Sequence, residues 1–283
     1  VVSGGDGYFF YTYNGGSSWY NYAINSSSND LYSIHGTNEN PDRSYSIVVG
    51  NDNNKVYQTE YDYWHANKTW GDFSIGNSSF YVNDVMHWWS GDKLYFLTVG
   101  NNGHIYKRKQ SSGVYLVADY TDPDGNNELL LGVGRAGDSN TFVAVGNKVI
   151  ARSTDAGENW SFTQVNFQLY EVQFLDSNIG FIVGMGTTAG ALSPVLKTTD
   201  GGANWTTDKL ITTSYMNGIH MFDEESGVIV GNSGEIWKRT DTTAPTVTSV
   251  SSTATDSTYG IGSVIPITVT FDESVIVTGT PKL

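Results

Sequence analysis

The chain has 283 residues, room for one large domain and part of another. Its 15 Lys and Arg stand against 29 Asp and Glu, and the net charge of −14 argues against nucleic acid and anionic membrane surfaces as partners. There is no cysteine, so disulfides, thiolate metal sites and Cys nucleophiles are excluded.

The 39% hydrophobic fraction, with 32 Gly and 18 Tyr, suits an all-β protein of many short strands and turns. No stretch approaches the roughly 18–20 apolar residues of a membrane-spanning helix, and no secretory leader is recognisable. The first residues, VVSGGDGYFFY, are strand-like and lack a starting Met, which predicts a processed or trimmed piece of a longer polypeptide.

In chain order, a strand YFFY leads into TYNGGSSW at Thr12–Trp19. The segment returns as STDAGENW at Ser153–Trp160 and as TTDGGANW at Thr198–Trp205. The shared pattern is Ser/Thr-x-Asp/Asn-x-Gly-x-x-Trp, a hairpin turn. The Asp or Asn side chain accepts backbone N–H groups, and the Gly supplies a positive φ. The Trp opens the next strand and covers the turn. The residues of this pattern are Asn14, Gly16 and Trp19, then Asp155, Gly157 and Trp160, then Asp200, Gly202 and Trp205.

A second landmark is an apolar run closing in Val-Gly, at Gly50, Gly100, Gly146, Gly184 and Gly231. Candidate inner strands precede these runs: Leu31–His35, Val82–His87, Leu129–Val133, Leu169–Phe174 and Met216–Met221. Each full repeat therefore reads as an inner strand, the Val-Gly strand, the strand into the turn, and the strand from Trp. A period of about 40–50 residues built this way predicts a β-propeller with one four-stranded blade per repeat. Two partial and four complete repeats fit six blades, with seven as the alternative.

The turn motifs resemble Asp-box (BNR) repeats. The longer unit GFIVG…VLKTTDGGANW resembles the propellers of the photosystem II assembly factor family. The resemblance covers residues 1–241 and implies the fold more than an activity, because Asp boxes occur in enzymes and non-enzymes alike.

The segment TDTTAP at Thr240–Pro245 changes the composition, and residues 242–246 read as a linker. Beyond it, Ile267, Val269 and Phe271 alternate with Thr268 and Thr270, a strand with one buried face. YGIGSVIPITVTFDESVIVTG resembles the start of a bacterial Ig-like domain, so 247–283 is expected to be an incomplete Ig-like sandwich that continues beyond Leu283 in a secreted or cell-surface parent.

Several constellations could carry chemistry. Asp84, Glu171 and Asp223 are carboxylates on inner strands or their loops, the ingredients of glycoside hydrolysis. The five arginines include Arg108, Arg152 and Arg239 after the strand leading to each turn. Placed on the periphery, they do not converge on one substrate carboxylate as in a sialidase. Aligning the inner strands puts His35, Met86, Gln173 and His220 at one position with His87 one step on, a set that could hold a metal or anion near the axis. Asp119, Asp122, Asp124, Asn126 and Glu128 offer oxygen ligands for calcium. Tyr61, Tyr63 and Trp64, in an insertion before Trp70, could stack on a sugar or anchor a protein. Sequons stand at Asn25, Asn67, Asn77, Asn159 and Asn204.

No converging catalytic set is identified. The expectation is a non-catalytic recognition or structural module at the cell surface that binds a protein or glycan through a propeller face. The alternative is a glycoside hydrolase or lyase with carboxylates in the cleft.

Overall fold

The architecture comes from a computed structural model. It describes residues 2–3, 8–11, 17–23, 31–40, 43–50, 55–62, 69–75, 80–91, 93–109, 112–121, 129–239, 245–272 and 275. The chain divides into two compact units, Val1–Arg239 and Thr240–Leu283.

The first unit is a succession of antiparallel sheets. The first sheet holds β1 (Val2–Ser3), β2 (Tyr8–Tyr11) and β3 (Tyr20–Ala23). The second is β4 (Leu31–Asn40), β5 (Arg43–Gly50), β6 (Lys55–Asp62) and β7 (Thr69–Ser74). The third is β8 (Val82–Ser90), β9 (Lys93–Gly100), β10 (His104–Lys109) and β11 (Val114–Asp119). The strands β12 (Leu130–Arg135), β13 (Phe142–Ser153), β14 (Ser161–Phe174), β15 (Gly180–Gly186), β16 (Pro194–Thr198) and β17 (Thr206–Leu210) run on as one six-stranded sheet. A last sheet holds β18 (Met216–Met221), β19 (Gly227–Gly231) and β20 (Ile236–Arg239).

The six-stranded sheet is two repeat units fused without a loop. Ser161–Gln164 and Gln168 of β14 pair back onto β13, while Phe167–Leu169 and Glu171–Phe174 pair forward onto β15. The same strand is therefore outermost in the fourth unit and innermost in the fifth. The sequence reading separated these two roles, and the chain joins them because no Gly or Pro interrupts VNFQLYEVQF.

The register is the same in the five units that follow the first sheet. Ser33, Asp84, Gly132, Glu171 and Gly218 each stand opposite the Val of the Val-Gly landmark: Val49, Val99, Val145, Val183 and Val230. A bulge precedes each of these residues, skipping one position. The landmark glycine has a steric reason. A Cβ on Gly100, Gly146, Gly184 or Gly231 would fall onto the carbonyl oxygen of Tyr81, Leu129, Gln168 or Tyr215, one bulge before the inner strand.

Packing is sheet on sheet. Leu97, Val99 and Ile105 of the third unit meet Leu130, Val133 and Phe142 of the fourth. Val143, Val145 and Ile150 meet Leu169, Val172 and Ile182 of the fifth. Phe181, Val183 and Val195 meet Met216, Ile219 and Met221 of the last. Each such side chain contributes about 1.5–3 kcal/mol when fully buried. The last unit carries the corresponding pair Val230 and Ile236, but these are 43% and 72% exposed, where Val183 and Val195 are 0% and 3%. The face that each preceding sheet buries against its successor is open there.

The second unit contains one antiparallel pair, β21 (Val247–Ser252) with β22 (Ile267–Phe271). Val269 and Phe271 are half-buried while Thr268 and Thr270 are exposed, but Ile267, expected on the same buried face, is 41% exposed at the start of the strand. Among the described residues no helix is long and apolar enough to cross a membrane.

Candidate functional site

The two turns of known geometry are near copies. Asp155 Oδ1 accepts the Asn159 N–H at 2.9 Å and the Ser153 hydroxyl at 2.8 Å, while its Oδ2 accepts the Asn159 amide at 2.7 Å. Asp200 makes the same three bonds to Asn204 and Thr198, at 2.9, 2.8 and 2.7 Å. These donors, Asn159 and Asn204 foremost, pull both carboxyls down to about 2. The Gly157 and Gly202 N–H groups donate to Ser153 and Thr198 Oγ at 3.0 Å, and the indoles of Trp160 and Trp205 close the turns onto the Gly157 and Gly202 carbonyls. The motif is thus a self-satisfied polar knot. The third copy differs in what can be said: Trp19 is 49% exposed, and Asn14 and Gly16 lie outside the described residues.

Each turn also receives a cation from the preceding unit. Lys107 on β10 reaches the Ala156 carbonyl at 2.7 Å and Glu158 Oε1 at 2.6 Å. Arg152 on β13 occupies the corresponding place one unit on, and its Nε donates to the Gly201 carbonyl at 2.9 Å. Ala156 and Gly201 are the same position of the motif. The sequence reading placed Arg152 on the periphery, facing no shared axis, and this inter-unit bond is what it does there.

The inner-strand carboxylates point the other way, into the junctions near the axis. Asp84 Oδ2 accepts the Val133 N–H of the following unit at 2.8 Å. Its Oδ1 accepts the Val85 N–H at 2.8 Å and the hydroxyl of Ser33. Burial raises Asp84 to about 6 against these bonds. Glu171 Oε2 accepts the Ile219 N–H at 3.0 Å, and burial raises it to about 7, with Asp84 adding a smaller push. Gln173 fastens the same junction by a two-way bond with the Met221 backbone, at 2.6 and 3.1 Å. Asp223 instead caps its own turn, accepting the N–H groups of Glu225 and Ser226.

Among the histidines, the structure brings two together. His35 Nδ1 and His87 Nδ1 are 2.9 Å apart with the rings edge to face. Burial lowers His35 to about 4 and His87 to about 3, the latter also pushed by His35. His87 is 1% exposed and its Nε2 is buried without a partner. A bare acceptor there costs less than a stranded N–H, which assigns the proton to His87 Nδ1, donated to His35. His220 occupies the expected register, opposite Val228 as His35 is opposite Ile47. It is exposed, however, and meets Phe222 edge to face. Among the described residues no group of three or more His, Cys, Asp or Glu could hold a metal ion.

Of the calcium set, Asp119 ends β11 and lies 3.4 Å from His104 Nε2; Asp122, Asp124, Asn126 and Glu128 lie outside the described residues. Tyr61 closes β6 next to Asp62, its backbone opposite Ser44. Tyr63 and Trp64 lie outside the described residues.

Among the described residues the outer surface carries a concavity that is not among the sequence-based candidates. A cavity of about 340 Å³ lies between the fourth and fifth units, lined by Ile150, Arg152, Thr163, Val165, Ala203 and Trp205 among others. This is the size of a small ligand site.

Known structures of similar shape share the architecture. The structure of U3-55K superposes with a TM-score of 0.55 at 11% identity, over 74% of this chain and 61% of that one. The crystal structure of Chaetomium thermophilum Raptor gives 0.51 at 14% identity, over 74% of this chain and 20% of that one. The fold is of the β-propeller type. The sheets are accordingly blades, and the junctions described above are blade-to-blade contacts. A structure of YCF48 bound to D1 peptide gives a TM-score of 0.48 at 15% identity, over 86% of this chain and 89% of that one. The chain spans about three fifths of the U3-55K chain and one fifth of the Raptor chain. No protein-family model matches the chain, and no curated protein matches its sequence.

Proposed function

We propose that this propeller is a recognition module that binds a protein or glycan through the outer surface of its blades. The observation that carries the reading is a division of labour. Asp84 and Glu171, the inner-strand carboxylates, hold the Val133 and Ile219 N–H groups of the following blade, while the ligand-sized cavity opens between the outer strands of one blade and the turn of the next. The likeness of residues 259–279 to bacterial Ig-like sequences supports a secreted or cell-surface parent, with the second unit as the first piece of a stalk. A screen of the full chain against a peptide array and a glycan array tests this. Specific binding on either supports recognition, and silence on both removes it.

A second reading has one observation in its favour. Glu171, raised to about 7 by burial, keeps a substantial protonated fraction near neutral pH as a glycosidase acid must, and Asp84 lies close enough to affect it. Release of reducing ends from a polysaccharide panel, lost in Glu171→Gln, would establish hydrolysis. No release by the wild-type chain would end that reading.

A further inference from the structure

The two inter-blade cation sites differ by one side chain. Lys107 is 2% exposed at its side chain and finds Glu158 in the next blade's turn. The residue of the following turn that corresponds to Glu158 is Ala203, so Arg152 has no such carboxylate. Its Nε holds the Gly201 carbonyl, and its two Nη groups make no hydrogen bond among the described residues. The other inter-blade cations are paired: Lys197 with Glu224 at 2.8 Å, and Arg239 with Asp208 and Glu225. In a chain of net charge −14, a half-buried guanidinium left without an acid is conspicuous. Ala203 and Arg152 both line the cavity, so the place of the missing side chain borders it.

We propose that the cavity between the fourth and fifth blades is a binding site for a carboxylate-bearing peptide, whose Glu or Asp side chain takes on Arg152 the place that Glu158 takes on Lys107. This rests on the recognition reading and narrows its ligand to a protein segment. The guanidinium presents a planar fork suited to a carboxylate. Trp205, Ile150 and Val165 supply an apolar wall for the neighbouring residue, and the Thr163 hydroxyl is free of other bonds among the described residues. The template, Glu158 on Lys107, is a glutamate within a peptide chain, which favours a peptide over an acidic sugar.

The test uses the full chain and the capped tetrapeptide acetyl-Gly-Glu-Asn-Trp-amide, a copy of Gly157–Trp160, in isothermal titration calorimetry. The Glu peptide binds, and its Gln counterpart binds about tenfold more weakly or not at all, as loss of a charge-assisted bidentate contact requires. Arg152→Gln abolishes binding. Ala203→Glu abolishes it too, by supplying the acid internally, with an unchanged or raised melting temperature. That second variant adds a side chain to an open cavity and keeps the test valid if Arg152→Gln fails to fold. Equal binding of the Gln peptide, wild-type affinity in Ala203→Glu, or no binding at millimolar peptide overturns the proposal, as does occupancy by D-glucuronate in place of the peptide. If the arrays still report a ligand after such a result, recognition stands and this site falls.

Discussion

Glu171 reaches across a blade junction to accept the Ile219 backbone N–H at 3.0 Å, as Asp84 does for Val133 at 2.8 Å. Each carboxylate satisfies a buried donor that the blade's own ladder leaves over, and each is made costly to ionise by that burial.

For Glu171 the pH dependence has a definite sign. Its folded-state value is about 7 against an ordinary 4.5, so between these the folded chain holds a proton that the unfolded chain has released. This group's contribution to stability therefore rises as pH falls from 7 to 4.5 and is least favourable above 7. Glu171→Gln keeps an acceptor for Ile219 and removes the charge. It is expected to raise the urea midpoint at pH 8 and to leave it nearly unchanged at pH 5. Glu171→Ala strands the N–H and costs about 1–3 kcal/mol at pH 5, and less at pH 8, where it also removes the unfavourable buried charge. A midpoint for Glu171→Gln below wild type at pH 8 would refute the argument.

His35 and His87 act in the opposite direction. Their folded-state values of about 4 and 3 lie below an ordinary 6.5, so their contribution is complete above 6.5 and is lost as pH falls from there toward 4. The windows overlap those of Asp84 and Glu171, and the wild-type profile between pH 4.5 and 6.5 should be shallow. His87→Phe, which keeps an aromatic ring beside Phe96, removes one arm of the balance. Its stability relative to wild type should increase steadily on acidification, read from chemical melts at half-unit steps. A parallel profile for the two chains would show that the pair does not titrate as described.

The turn glycines carry a steric load. Gly202 sits at φ +79°, and a Cβ there would lie 2.8 Å from Val143 Cγ2 of the preceding blade. Gly202→Ala combines left-handed strain with overpacking and should cost about 2–4 kcal/mol. Thermal and urea unfolding would measure it, and a loss below about half a kcal/mol, the scatter of neutral surface changes, would contradict the geometry.

What was legible in the sequence follows from what repeats. The Val-Gly landmark, the inner strands and the turn motif recur because each answers a backbone demand: a close carbonyl, a bulge, two left-handed residues. The alignment of His35, Met86, Gln173 and His220 matches the register for the same reason. Pairings between blades left no such trace. Asp84 and Val133 are 49 residues apart and meet only because successive inner strands lie side by side. His35 finds His87 rather than His220, which no spacing in one chain announces. The Arg152 cavity did have a signal, visible when STDAGENW is laid over TTDGGANW and Glu158 falls on Ala203, but only the structure says that a cation from the previous blade faces that position.

That comparison yields a final expectation. Glu158→Ala makes the junction between the third and fourth blades resemble the one that follows it. The side chain of Lys107 stays buried over Trp88 and Tyr95 and keeps the Ala156 carbonyl, but its acid is gone. Glu158 is itself 48% exposed, so the loss should fall at the low end of that for a broken buried pair, about 2–3 kcal/mol. Lys107→Met, which removes the cation and leaves Glu158 to water, should cost less than Glu158→Ala, and the double variant less than the sum of the two. In Glu158→Ala the vacated place opens beside an ammonium that has lost its acid, and the Glu tetrapeptide should then titrate with two sites per chain in place of one. Unchanged stoichiometry together with the predicted stability loss would mean that Ala203 opens the natural cavity for reasons of local shape that Lys107 does not share.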